Sequence, residues 1–188
     1  MRRRLGGAGE VTAVEVDALP AIELLWQHAD RVNARVRDYD AVGVSIADEL
    51  ARTRAVDALD VRIERVRATA EVTLRDVELR KRDGLLSGSA IVDPGQVAAA
   101  LPAGVEGRLA PSGDGEVRVA ARIGGAALTL RVEARDGRVV ARPEGLLGLI
   151  TSYTLFADPR IDVERVAAFA RPDGLVELRA WAGVRDSR

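Results

Sequence analysis

The chain holds one histidine, His28, and no cysteine. A Ser-His-Asp triad would have to use His28, yet no Gly-x-Ser-x-Gly elbow is present. The nearest stretch, Gly84-Leu85-Leu86-Ser87-Gly88, stands where a strand begins. A histidine-based metal site would lack its second imidazole, and thiol nucleophiles, disulfides and Cys-ligated zinc are excluded. The acidic pairs Asp38/Asp40 and Asp158/Asp162 lack the regularly spaced oxygens of a calcium loop and read as solvated turn residues. No Walker loop appears, and no Gly-x-Gly-x-x-Gly follows a strand. This inventory points away from catalysis, cofactor and metal, and toward binding or structure.

Two stretches remain as binding candidates. Arg80-Lys81-Arg82 is the one basic cluster beyond the N-terminal arginines, and Lys81 is the only lysine among 28 basic residues. Asp83-Gly84 follows directly, so the triplet marks either a charged hairpin or a contact for a phosphate or lipid headgroup. The second stretch is the longest run without charge, residues 145–157, in a chain that is 30% charged. Leu146, Leu147, Leu149, Ile150, Tyr153, Leu155 and Phe156 are its large apolar side chains. Such a run is buried in protein, pressed on lipid, or used as a binding surface. It is too short to span a bilayer, which needs about 20 apolar residues in a helix. Residues 94–105 form a second uncharged run, which contains Val97 and Leu101.

The net charge of −1, the interleaving of acids and bases, and aromatics at 3% give no field and no stacking platform for nucleic acid. Ala, Val and Leu dominate, so the interior is built of small aliphatic side chains. Met1-Arg2-Arg3-Arg4 resembles a charged export region, but no apolar stretch follows it. Taken alone, the chain is expected to be soluble and unexported.

The elements that would position these residues are mostly strands. Val117, Val119, Ala121 and Ile123 alternate with polar or small residues, as do Leu128, Leu130, Val132 and Ala134. Gly124-Gly125, Asp136-Gly137 and Pro172-Asp173-Gly174 read as hairpin turns, which makes the second half an antiparallel meander. Three strands share a slip. Val61 and Ile63 are followed by Val66 and Ala68; Val72 and Leu74 by Val77 and Leu79; Ile161 and Val163 by Val166 and Ala168. One extra residue between inward positions is what a β-bulge requires, and bulges bend a sheet. Helical spacing of Ile46, Leu50, Ala51 and Ala55 predicts a helix over 45–59. Asp93-Pro94 predicts the start of a second, which carries Val97 and Leu101. The expected fold is one α+β domain over 10–183, a strongly curved antiparallel sheet with bulges wrapping one or two helices, with loose ends at 1–9 and 184–188.

The order of segments resembles the LmeA-like family of phospholipid-binding proteins of high-GC Gram-positive cell envelopes. The likeness lies in Leu19-Pro20-Ala21-Ile22-Glu23-Leu24-Leu25 and the strand after it, then the pair of strands at 72–79 and 86–92, then Val97-Ala98-Ala99-Ala100-Leu101 and a closing meander. The resemblance implies a tubular lipid-binding domain, a phospholipid or fatty-acyl ligand in its apolar interior, and an extracytoplasmic, membrane-associated protein. On that basis Leu146, Leu147, Leu149, Ile150, Tyr153, Leu155, Phe156, Val97, Leu101, Ile46 and Leu50 are the candidate lining, and Arg80, Lys81 and Arg82 the candidate headgroup contact. The other reading is a structural or interaction module with a packed core and no small ligand.

Overall fold

The computed structural model describes residues 14–16, 31–42, 57–99, 105–111, 116–123, 126–145 and 152–184. Twelve strands and one short helix appear among them: β1 (Val14–Val16), β2 (Arg31–Asp40), β3 (Ala58–Arg67), β4 (Thr73–Arg82), β5 (Leu85–Val92), α1 (Pro94–Ala99), β6 (Val105–Pro111), β7 (Val117–Ile123), β8 (Ala126–Arg135), β9 (Arg138–Pro143), β10 (Tyr153–Phe156), β11 (Ile161–Ala170) and β12 (Val176–Val184). They form a seven-stranded sheet in the order β1-β2-β3-β4-β5-β12-β11 and a five-stranded sheet in the order β10-β9-β8-β7-β6. Neither closes into a barrel.

The described residues are therefore mostly strand, where an α+β domain built on one sheet was expected. The helix expected over 45–59 does not reach its far end. Ala58 and Leu59 open β3, where their backbones join the ladders to β2 and β4. Residues 43–56 lie outside the described residues. The first sheet is mixed: β1 pairs β2, and β2 pairs β3, in parallel. Parallel neighbours need a crossover connection, and the chain supplies residues 17–30 and 41–57 between these strands.

Hairpin chemistry explains the antiparallel remainder. Asp83-Gly84 and Asp136-Gly137 each hold φ near +50° and +76°, the two left-handed positions of a type I′ turn. The expected looseness of residues 184–188 does not begin at Val184. It ends β12, pairs with Ile161 and donates from its N–H to the Gly84 carbonyl at 3.0 Å.

Two of the three slips in alternation are bulges. In β4 the register to β5 shifts between Arg75 and Glu78, with Asp76 in the left-handed region at φ 47°. In β11 the register to β12 shifts between Val163 and Arg165. In β3 no register shift occurs, because both neighbours change face at the same level. Val36 pairs with Ile63 and Ile63 with Val77; beyond the slip, Tyr39 pairs with Val66 and Val66 with Leu74. The bulge expected in β3 is therefore not found: its ladders to β2 and β4 each keep one register.

Two of the three apolar clusters join the sheets. One gathers Val92, Leu109, Val117, Ala168 and Val176, so it draws on β5, β6, β7, β11 and β12. Another gathers Leu86, Ile161, Val163 and Ala182, with Ala134, Val139 and Phe156 packed against them from the second sheet. The third, Val32, Ala34, Leu59 and Val61 with Ile63 and Leu79, belongs to the first sheet alone. The Val163 N–H also donates to the Gly137 carbonyl at 3.1 Å, tying β11 to the β8–β9 turn.

Candidate binding site on the inner face

Strand alternation separates the basic triplet. Arg80 and Arg82 are exposed, while Lys81 between them is only 5% exposed. Arg80 donates to Glu78 at 3.0 Å and lies 3.8 Å from Asp60. Arg82 donates to the carbonyls of Leu59 and Lys81, both at 2.7 Å. The two guanidiniums are thus held by protein groups on the outer face, and the triplet is not one phosphate-facing cluster.

Lys81 belongs to the inner face. Reading the ladders across the sheet, Val32 pairs with Leu59, Leu59 with Lys81, Lys81 with Leu86, Leu86 with Ala182, and Ala182 with Val163. Every member of this row is buried, and Lys81 is its one charge. The row runs near one end of all six strands, two positions from the Asp83-Gly84 turn.

The next row inward has a different character. It consists of Ala34, Val61, Leu79, Gly88, Ala180 and Val166. Leu79, Gly88 and Val166 are half-buried, and Ala180 is exposed. Alternation along β12 puts Ala180 on the same face as Val176, Leu178 and Ala182, which all pack in the core. β12 lies between β5 and β11, so its backbone is covered on both sides. The exposure of Ala180 is therefore exposure of its Cβ on the inner face. A Cβ added at Gly88 would stand in ordinary contact with the Glu78 carbonyl at 3.6 Å and the Leu79 Cδ1 at 3.7 Å. Gly88 and Ala180, two of the three smallest residues of the row, stand side by side with Leu79 on one flank and Val166 on the other, and Ala180 is the exposed point of this apolar stretch, termed here the notch.

The candidates read from sequence fall in several places. Phe156 and Val97 are packed against core clusters. Tyr153 and Leu155 stand 57% and 59% exposed on β10, the end strand of the second sheet. Leu146, Leu147, Leu149, Ile150, Leu101, Ile46 and Leu50 lie outside the described residues. The notch residues Leu79, Gly88, Val166 and Ala180 were missed as a group. The available signal was small residues at inward positions of two strands, but their adjacency depends on a register that one sequence does not display.

The remaining chemistry is structural. Asp38 accepts from Arg65 at 2.6 Å and Asp40 pairs with Arg67, which holds both carboxyls below their ordinary range. Asp158 caps its own turn, accepting from the Arg160 side chain and backbone N–H. Of the acids expected in turns, Asp38 and Asp40 instead lie in β2 and Asp162 in β11, where strand pairing places them, and only Asp158 stands at a turn. Ser87 lies within β5, paired with Arg80 and Trp181, and forms no nucleophile elbow. Arg165 covers the Trp181 ring and Arg179 the Phe169 ring, each 5.0 Å from the centroid. Among the described residues, no three acidic or histidine side chains gather to hold a metal ion, and no helix is long and apolar enough to cross a membrane. No protein-family model, curated protein or solved structure matches this chain.

Proposed function

We propose that this protein binds an acyl-chain lipid, without catalysing a reaction, against the inner face of its seven-stranded sheet. One observation carries the reading: Ala180 is exposed at an inward position of an interior strand. Gly88 beside it and the flanking Leu79 and Val166 give that opening an apolar wall. In this reading the sheet is strongly curved, as in a tubular lipid-binding domain. The bulges in β4 and β11 supply the bend. Each methylene taken from water contributes about 0.8 kcal/mol, so apolar wall suffices for affinity and polar groups are needed only for the head. The resemblance in segment order points the same way and adds an extracytoplasmic, membrane-associated setting. The exposed Tyr153 and Leu155 on β10 would then face the membrane or a partner rather than line the cavity.

A packed interaction module is the second reading. It is favoured by Leu59 and Ala168, which are 0% exposed. Lipid extraction separates the two. Purified protein is incubated with phospholipid vesicles, reisolated and analysed by mass spectrometry. Lipid retained in stoichiometric amount supports the first reading, and protein free of lipid supports the second.

A further inference from the structure

We draw no further inference here: the strongest candidate, the surface patch of exposed Tyr153 and Leu155 on β10 at the end of the five-stranded sheet, is an apolar patch on a strand edge, and nothing in the structure shows what covers it.

Discussion

Single side chains show how one sequence position is turned to two ends. Arg80, Lys81 and Arg82 read as one charged patch, yet the period of two sends the middle residue inward and the outer two outward. The burial of Lys81 was hidden because the residue type argued for a surface and only the neighbours Leu59 and Leu86 argue otherwise. Asp158 is legible from its turn but not its titration. Its carboxyl is pulled from an ordinary 3.8 to about 2, first by the Arg160 side chain and then by the Arg160 N–H, against an opposing effect of burial. A carboxyl held low in the folded chain binds its proton more weakly there than in the unfolded chain. Its stabilising contribution is complete above about pH 4 and is lost as pH falls toward about 2. Asp158→Asn should therefore flatten the acid side of the stability profile, read as urea midpoints between those pH values. An acid limb as steep as that of wild type contradicts this.

At the scale of elements, local signals were strongest. The Asp-Gly turns and the bulges in β4 and β11 were readable because each depends on a few adjacent residues, whereas the same slip in β3 produced no bulge, since β2 and β4 each keep one register with it. Asp76 occupies the left-handed region at φ 47°, a conformation with a cost of about 1–2 kcal/mol for most side chains. Asp76→Gly should raise stability by up to about 1 kcal/mol, and Asp76→Val should lower it by about 1–2 kcal/mol. Chemical denaturation measures both, and equal stabilities would remove the bulge strain from the account. The start of α1 was equally plain. Asp93 accepts from the Gly95 N–H at 2.7 Å through its side chain, and its carbonyl accepts from Gln96 and Val97. Gln96 in turn accepts from the Thr73 N–H at 3.0 Å and docks the helix on β4. Asp93→Ala should cost about 1 kcal/mol in the same denaturation assay. The expected 45–59 helix shows the limit of such signals: helical spacing near Leu59 yielded to two strand ladders.

For the molecule as a whole, the sequence was least explicit. Alternation states which residues face inward but not which sheet receives a strand. The division into two sheets, and the parallel entry of β1 and β2 beside β3, follow from long-range pairing that leaves no local mark. The site shares that property. Gly88 and Ala180 are far apart in the chain, and only the register of β5 with β12 makes them neighbours. The uncharged run at 145–157 is continuous along the chain, whereas the inner face of β4, β5, β12 and β11 is assembled only by pairing. Both regions belong to one question, whether apolar surface in this protein meets lipid.

The most direct measurement is native mass spectrometry of wild type and Ala180→Trp after incubation with phospholipid vesicles. The indole would occupy the notch beside Gly88. The account predicts a lipid-bound mass for wild type and its loss in the folded variant. Equal lipid uptake by both proteins, or none by wild type, would contradict it.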